Sequence, residues 1–321
     1  MKLIVIGVLL VFIELLYFWV ADHFNIIDKP NLRSSHKRIT LRGGGVIFLF
    51  GVWLYAAFCG FQYPWFLAGL TLIAAISFAD DVHSVPNKIR IVVHFAAMLL
   101  MFYQLGLFAA GQWWYLLPAW IVCTGIINAY NFMDGINGIT GGYSLAVLAP
   151  LAVVNVREPF VDPQLIYVTV LSVVVFCWFN FRPKARCFAG DVGAVSIAFI
   201  LLFMLGALIL RTGNLWYLIF LVVYGVDSVL TICHRLLLRE NIFEAHRKHA
   251  YQLMANELKI PHVVVSAIYA LLQAVISLGA IYLPVNGWVY FGVVVVLLSV
   301  AYVLFKMKYY GLHEAYLQTQ K

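Results

Sequence analysis

The chain has 321 residues, of which 64% are hydrophobic and only 11% are charged. This composition excludes a soluble globular protein, because too few polar side chains are present to cover a water-exposed surface. The 16% aromatic content and the 23 glycines are typical of membrane helix bundles, so we predict a single membrane domain over residues 1–321.

Apolar stretches long enough to cross about 30 Å of hydrocarbon recur along the whole chain. The first runs into Asp22 and His23 without a small-residue cleavage site, so we expect a retained helix rather than a signal peptide. The predicted spans are residues 3–21, 44–60, 64–79, 91–109, 113–129, 143–156, 164–181, 192–210, 215–233, 263–283 and 286–305. The predicted fold is therefore all-α, a polytopic integral membrane bundle of about eleven transmembrane helices.

The basic residues are distributed unevenly between the loops. One set of alternate loops, with the C-terminal tail, carries all of the 21 Lys and Arg residues except Lys2, Arg157 and Arg211. Because cytoplasmic loops carry the excess of Lys and Arg, we predict an outside N-terminus and a cytoplasmic C-terminus. The net charge of +7 is interpreted as contact with anionic inner-leaflet lipid and not with nucleic acid.

Five carboxylates share the predicted cytoplasmic side, although acids beside membrane helices are costly and need a partner or a purpose. Asp80 and Asp81 end the third span, and Asp134 follows the fifth span. Asp191 begins the eighth span, and Asp227 lies near the cytoplasmic end of the ninth. A bundle can bring these acids into one cleft, where a hard cation such as Mg²⁺ takes carboxylate, water and phosphate oxygens as ligands.

The basic loops on the same side fit an anionic substrate. Arg33 and His36 precede Arg42 and a run of three glycines, where a helix start favours phosphate. A second basic cluster lies at residues 246–249. Together with the facing carboxylates, these clusters suggest metal-assisted phosphoryl transfer.

Three other features are interpreted as structural. Glu14 lies within the first span, and we expect a protonated or hydrogen-bonded acid in the outer half of the membrane, away from the other acids. His94, one turn inside the fourth span, is interpreted as a polar contact. The five cysteines show no ligand spacing, so neither a metal cluster nor a disulfide framework is predicted.

The charged segments form an ordered set of motifs between about residues 26 and 252. The motifs are Asp28-Lys29-Pro30-Asn31 with Arg33, Ser34 and His36, then Arg42-Gly43-Gly44-Gly45, Asp80-Asp81, NAYNFMDG from Asn128, Gly190-Asp191, and HRKHAYQ from His246. In order and spacing, this set resembles the polyprenyl-phosphate N-acetylhexosamine-1-phosphate transferase superfamily.

The resemblance implies a reaction and its setting. A sugar-1-phosphate would pass from a UDP-N-acetylhexosamine to a polyprenyl phosphate such as undecaprenyl phosphate, with release of UMP. Mg²⁺, with Mn²⁺ as a substitute, would assist the reaction. The site would face the cytoplasm from the bacterial inner membrane, in agreement with the predicted topology.

The resemblance also implies roles for individual residues. Asp191 would be the main metal ligand, with Asp81 near the metal. The pair Asp80 and Asp81 would hold or deprotonate the polyprenyl phosphate, and Asp134 would bind the nucleotide sugar or arrange the metal. The implied substrate-binding residues are Arg33, His36, Arg42, Lys88, Arg90, Asn128, Asn131, His246, Arg247 and His249.

The chain departs from the family pattern at three places. Asn137 stands where a second acid is common, and Ala194 stands where Ser commonly follows the GDxG turn. The last loop reads HRKHAYQ rather than three consecutive histidines. This loop indicates the branch that initiates surface polysaccharides such as lipopolysaccharide O-antigen, in cell wall biogenesis, rather than the branch that uses UDP-MurNAc-pentapeptide.

Two other functional classes are considered. A secondary transporter would also use membrane acids, but it would place charges near the midplane and broken helices in both halves of a repeat. A phosphotransferase for CDP-alcohols would concentrate four acids in a compact run, whereas this chain disperses them. The sequence leaves open the sugar, a direct or covalent mechanism, and whether a homodimer forms.

Overall fold

The structure is a computed structural model that describes residues 1–30, 35, 38–109, 113–242, 244 and 246–319, with side chains described as far as residue 315. The predicted substrate-binding residues Arg33 and His36 lie outside the described residues. The α-helices are α1 (Lys2–His23), α2 (Ile47–Cys59), α3 (Pro64–Val82), α4 (Asn87–Gln104), α5 (Leu116–Met133), α6 (Ile139–Arg157), α7 (Pro163–Asn180), α8 (Gly190–Thr212), α9 (Val222–Leu237), α10 (Ala250–Asn256), α11 (His262–Tyr282) and α12 (Gly287–Thr319).

Every predicted span coincides with a helical segment of the structure, because an apolar stretch in a membrane satisfies its backbone polar groups as a helix. Within the described residues, nine helices are long and apolar enough to cross a membrane. The segment Gly44–Cys59 is apolar but shorter, and α4 is more polar because it begins at the charged loop. The all-α polytopic bundle is confirmed, and the direction of insertion stays a prediction.

The structure differs from the sequence prediction at helix ends. α5 continues to Met133, so Asn131 lies on a helix and not beyond the predicted end of the span at residue 129. α12 is 33 residues long, since its polar second half packs against α10 instead of forming a tail. A two-stranded antiparallel pair, β1 (Ile27–Asp28) with β2 (Thr40–Leu41), was not predicted.

α8 is the central helix of the bundle, and most of its residues are buried. It packs against α3 and α5 and against the short 3-10 turn Gly44–Val46 that precedes α2. At this turn Gly45 meets Gly193 so closely that a Cβ on Gly193 would lie 2.7 Å from the Gly45 Cα. The glycines therefore let the α2 entrance lie directly against the first turns of α8.

A buried polar network connects α9 to its neighbours. The segment Leu215–Leu221 is a 3-10 helix that changes to α9 at Val222. The Gln273 side-chain oxygen accepts hydrogen bonds from the Tyr143 hydroxyl at 2.6 Å and from the Val223 N–H at 3.1 Å. Because a buried helix start leaves backbone donors unsatisfied, this network stabilises the beginning of α9 and fixes it against α6 and α11.

Candidate functional site

Three carboxylates and two guanidinium groups from four separate segments form one array, which we call the arginine–aspartate array. Arg42 contacts Asp81 at 2.7 Å and Asp191 at 3.3 Å. Arg90 contacts Asp80 at 2.8 Å and Asp191 at 3.2 Å. Asp191 therefore lies between the two arginines, and the structure brings together five residues that the sequence analysis had selected.

Asp81 holds the start of α8 from the neighbouring helix α3. Its Oδ1 accepts from the Asp191 N–H and its Oδ2 from the Val192 N–H, both at 2.9 Å. These amides belong to the first turn of a helix, where donors have no intrahelical partner. Because Asp81 also accepts from Arg42, both of its oxygens are engaged. The predicted direct contact of Asp81 with a metal stays a prediction.

Gly190 makes this arrangement possible. Its φ of +71° favours glycine. A Cβ at this position would lie 2.5 Å from the Asp81 Oδ2 and 2.9 Å from the Gly43 nitrogen. The Gly190-Asp191 motif is therefore required by the close approach of Asp81 to the α8 start, and it directs the Asp191 side chain outward from that start.

A cavity of about 270 Å³ opens beside Asp191. Four of the predicted site residues line it, namely Arg42, Asn131, Asp134 and Asp191. Asp80, Asp81 and Arg90 do not line the cavity, but they adjoin it through their contacts with Asp191 and Arg42. The site thus has a cavity and a charged array that share Arg42 and Asp191.

Asp134 lies directly after the end of α5, on the cavity wall. Its Oδ1 accepts a hydrogen bond of 2.5 Å from the Thr140 hydroxyl at the start of α6. Burial raises the pKa of Asp134 to about 7, and the Thr140 hydrogen bond opposes this rise. The side chain therefore changes charge close to physiological pH.

Arg42 is held in place by a hydrogen bond to its backbone carbonyl and by the ion pairs of its guanidinium group. The Tyr17 hydroxyl donates to the Arg42 carbonyl at 2.5 Å, and the following Gly43 has a φ of +82°. Burial opposes the charge of the guanidinium, but the carboxylates of Asp81 and Asp191 outweigh it and raise the pKa of Arg42. Arg42 is consequently a permanent cation at the cavity.

Glu14 lies close to the site, and the expectation that it is far from the other acids is wrong. Its Oε1 is 3.6 Å from the Cys187 sulfur and would lie 3.2 Å from a Cβ on Gly44. Both neighbours are within a few residues of Arg42 or Asp191. The reason is that the Gly43–Gly45 turn lies against the middle of α1, which the sequence did not indicate. Glu14 is fully buried, as expected of a structural acid.

The hydrogen bonds of Asn137 explain why this chain has an amide at a position where a second acid is common in the family. Its side-chain amide donates to the carbonyls of Arg182 and Pro183 at 2.9 and 3.3 Å. A carboxylate could not donate these bonds. Nearby, the Asn180 side chain accepts from the Gly138 N–H at 2.8 Å and donates to the Cys187 carbonyl at 2.9 Å. These two asparagines connect the loops after α5 and α7 at the cavity floor.

The basic cluster at residues 246–249 lies near the cavity without lining it. The His246 and His249 rings are 5.0 Å apart, and each lies about 6 Å from the Phe132 ring. Burial, followed by the neighbouring His249 and Arg235, lowers the pKa of His246 to about 3, so His246 is neutral at physiological pH. Arg247 contacts Glu257 at 3.3 Å. The predicted diphosphate contacts of these residues stay predictions.

Four other residues named from the sequence lie outside the cavity lining. Lys88 is exposed near the start of α4, and Asn128 is exposed on α5 one turn before Asn131. Asp227 does not join the predicted cleft, because its carboxylate is buried against α10 and α11 and accepts from Ala250 and Tyr269. His94 is half-buried within α4.

Several lining residues were not selected as site residues from the sequence. They are Asp28, Asn180, Phe188, Gln252 and His262. Asp28, Phe188 and Gln252 lie inside the recognised motifs or close to them, and this position in the sequence could have indicated that they line the site. Asn180 and His262 lie at ends of apolar helices, and only the three-dimensional packing reveals their position at the cavity.

The cavity supplies oxygen ligands of the kind that Mg²⁺ prefers, from the carboxylates of Asp191 and Asp134 and the amides of Asn131 and Asn137. In the part of the chain that the structure describes, no three His, Cys, Asp or Glu side chains form a complete metal cage. This donor set fits a cation that takes one or two carboxylates and completes its shell with water and phosphate oxygens. The adjoining arginines suit a phosphorylated ligand.

The middle of the chain matches the family model described as glycosyl transferase family 4, over residues 63–211. This range begins just before α3 and ends within α8. It therefore contains Asp80, Asp81, Asp134 and Asp191.

Curated relatives cover more of the chain. Over 262 residues, it is 26% identical to a probable undecaprenyl-phosphate N-acetylglucosaminyl 1-phosphate transferase of Bacillus subtilis, a match covering 74% of this chain and 72% of that protein. Over 275 residues, it is 28% identical to the phospho-N-acetylmuramoyl-pentapeptide-transferase of Thermotoga neapolitana, covering 78% and 87%. An undecaprenyl-phosphate alpha-N-acetylglucosaminyl 1-phosphate transferase of Yersinia pestis is 27% identical over 205 residues, covering 58% and 56%.

Proposed function

We propose that this chain is a member of the polyprenyl-phosphate N-acetylhexosamine-1-phosphate transferase superfamily, as its similarity to the proteins above supports, and that it transfers an N-acetylhexosamine-1-phosphate from a UDP-sugar to polyprenyl phosphate. An oxygen of the lipid phosphate forms a bond to the β-phosphorus of the UDP-sugar, and the bond from that phosphorus to the bridging oxygen breaks. The products are a polyprenyl-diphosphate sugar and UMP. The reaction is proposed to occur at the cytoplasmic face of the inner membrane.

The observation that carries this proposal is the position of Asp191. Its carboxylate lies between Arg42 and Arg90 and also lines the cavity. A carboxylate that can hold a divalent cation is thus adjacent to two guanidinium groups that can bind phosphate oxygens. A structural ion-pair network alone would not need a cavity with further carboxylate and amide groups.

The two substrates are assigned to the two parts of the site. The cavity with Asn131 and Asp134 is proposed to bind the nucleotide sugar. Asp80 and Arg90, at the facing ends of α3 and α4, are proposed to receive the lipid phosphate beside it. Arg42 then lies between the two phosphorylated groups, where it can stabilise the charge that develops during transfer.

Mg²⁺, held by Asp191 with Asp134 nearby, would neutralise the diphosphate oxygens of the donor when bound. Asp81 would act mainly by holding the α8 start, so that Asp191 and Arg42 keep their positions. Mn²⁺ would be accepted by the same oxygen ligands.

For the sugar, we propose UDP-N-acetylglucosamine as the first candidate, since two of the three relatives above are named for N-acetylglucosaminyl transfer. The HRKHAYQ loop supports a role in starting a surface polysaccharide, as argued from the sequence. The third relative, named for phospho-N-acetylmuramoyl-pentapeptide transfer, makes the larger donor the natural comparison substrate.

The test is a transfer assay with the purified protein, undecaprenyl phosphate, Mg²⁺ and UDP-GlcNAc labelled at the β-phosphate. Transfer of the sugar phosphate moves the label into the organic phase and releases UMP. Transfer of the sugar alone would leave the label in water as UDP. A panel with UDP-GalNAc and UDP-MurNAc-pentapeptide then identifies the preferred donor.

The result expected is an organic-soluble label that depends on both substrates and on Mg²⁺. Release of UDP instead of UMP, or no lipid-linked label with any donor in the panel, would contradict the proposed reaction.

A further inference from the structure

A buried carboxylate outside the cavity connects α9 to the start of α10 and to α11. Asp227 on α9 is only 3% exposed. Its Oδ1 accepts from the Ala250 N–H at 3.1 Å and from Thr231 at 3.2 Å, and it lies 3.2 Å from the His249 Nδ1. Its Oδ2 accepts from the Tyr269 hydroxyl at 2.6 Å. The Ala250 N–H and the Thr231 and Tyr269 hydroxyls therefore all donate to the carboxylate.

These contacts fix the start of α10. Ala250 is the first residue of α10, and the N–H of the preceding His249 donates to the Gln252 side chain at 3.2 Å. Gln252 in turn lines the cavity. A seven-residue helix has little stability of its own, so its position depends on such external contacts.

α10 in turn supports the cavity wall. The Tyr251 hydroxyl donates to the Phe132 carbonyl at 2.9 Å. The same hydroxyl fills the space that a side chain on Gly135 would need. Phe132 directly follows Asn131, and Gly135 directly follows Asp134. Asn131 and Asp134 both line the cavity. The sequence of contacts therefore runs from Asp227 through α10 to the wall that carries Asp134.

We propose that Asp227 is a positioning residue for the donor side of the site, acting through α10 on the segment 131–135. This proposal rests on the proposed function, because a positioning role affects catalysis only if the cavity binds the nucleotide sugar. It explains why a membrane helix contains a buried acid that does not reach the cavity. It also gives a structural role to each residue of the HAYQ segment, since His249, Ala250, Tyr251 and Gln252 all take part in the contacts described above.

The test replaces the carboxylate by an amide of the same shape. In Asp227→Asn, the negative charge is lost and one carboxylate oxygen becomes an NH₂ group. This group cannot accept from the Ala250 N–H, and it can face the Tyr269 hydroxyl only if that hydroxyl turns its hydrogen away, so the hold on α10 is weakened. We expect the KM for UDP-GlcNAc to rise at least tenfold. The KM for undecaprenyl phosphate should stay within twofold, because α10 contacts the donor wall and not Asp80 or Arg90. A general loss of folded protein would lower kcat without this difference between the two substrates.

Asp162 provides a matched control at the opposite end of the bundle. It also accepts several hydrogen bonds, from Tyr55 at 2.9 Å, from Gln62 at 3.2 Å and from the Gln164 N–H at 3.0 Å, and it caps a helix. Asp162→Asn should leave both KM values unchanged. Tyr269→Phe removes one donor to Asp227 without changing the carboxylate, and it should raise the donor KM in the same direction but less. This variant decides the question if Asp227→Asn does not fold.

A second measurement does not depend on activity. Amide hydrogen exchange of residues 249–253 should accelerate at least tenfold in Asp227→Asn and stay unchanged in Asp162→Asn. If the wild-type protein transfers nothing, the proposed function fails while this exchange result still decides the role of Asp227 in holding α10. Unchanged exchange in Asp227→Asn, or equal effects on the two substrate KM values, would overturn the proposal.

Discussion

At the scale of single residues, the site depends on which group each carboxylate faces. Asp191 faces two arginines and a cavity, Asp81 faces the amides of a helix start, and Asp227 faces hydrogen-bonding groups of α9, α10 and α11. Asp81 lies in the last turn of α3 and Asp191 in the first turn of α8, whereas Asp227 lies inside α9. The sequence places all three on the predicted cytoplasmic side and does not distinguish them. These different surroundings support the proposal that Asp191 acts on the substrates and that Asp81 and Asp227 hold other parts of the site in place.

Asp134 should make donor binding depend on pH. Its pKa is raised to about 7, so it is neutral below this pH and anionic above it. Without a divalent cation, the anionic form repels the donor diphosphate, whose own charge is constant in this range. We therefore predict that the affinity for UDP-GlcNAc falls on the order of fivefold from pH 6 to pH 8 at fixed ionic strength.

Titration calorimetry in the presence of a chelator measures this effect. Asp134→Asn is the control, because its side chain is neutral throughout, and its affinity should fall clearly less over the same range. The same fall in affinity in Asp134→Asn would show that another group is responsible.

At the scale of elements, close helix contacts hold the array together. A Cβ on Gly45 would collide with the backbone of Gly193 and Ala189 at the α8 start. Gly45→Ala should therefore push the α2 entrance away from α8, destabilise the protein by about 1–3 kcal/mol and reduce transfer. The melting temperature and the transfer rate measure the two effects.

Gly125→Ala on α5 serves as the comparison, because a Cβ there meets nothing within 4 Å. Alanine is also the better helix former, so this variant should be at least as stable as the wild type. If Gly45→Ala melts at the same temperature as Gly125→Ala, the close contact is not required.

The sequence predicts which helices form better than it predicts the residues at which they end. Apolar length identifies every long helix, since the bilayer imposes the same requirement on each. It does not identify α10, whose seven residues depend on contacts with Asp227 and Phe132, nor the end of α12, whose polar half contacts α10. The motifs likewise select Arg42, Arg90 and Asp191 correctly as neighbours, but they do not reveal that Glu14 lies beside Gly44 or that Asp227 faces away.

At the scale of the whole molecule, the bundle gathers the charged helix ends on one side. α3, α4, α5 and α8 each contribute a polar terminus to the same region, while the opposite end carries the Asp162 cluster. This arrangement places the charged site at one end of the bundle, apart from the apolar middle of the helices. It allows a lipid substrate to meet a water-soluble one at a membrane boundary.

The predicted orientation follows from the same asymmetry and can be measured in intact cells. In a background without the five native cysteines, Lys184→Cys lies at the charged end and Glu158→Cys at the opposite end, both exposed. A membrane-impermeant maleimide should label Glu158→Cys from outside and leave Lys184→Cys unmodified until the cells are opened. The reverse pattern would invert the topology.

The acids around Asp191 are proposed to form a metal-assisted site for transfer of a sugar phosphate to a lipid phosphate. The most direct test is the initial transfer rate of purified Asp191→Asn over a series of Mg²⁺ concentrations, compared with Asp162→Asn at the other end of the bundle. We predict that Asp162→Asn keeps the wild-type rate within about twofold, whereas Asp191→Asn loses about 100-fold or more at every Mg²⁺ concentration. A wild-type rate in Asp191→Asn would contradict the account.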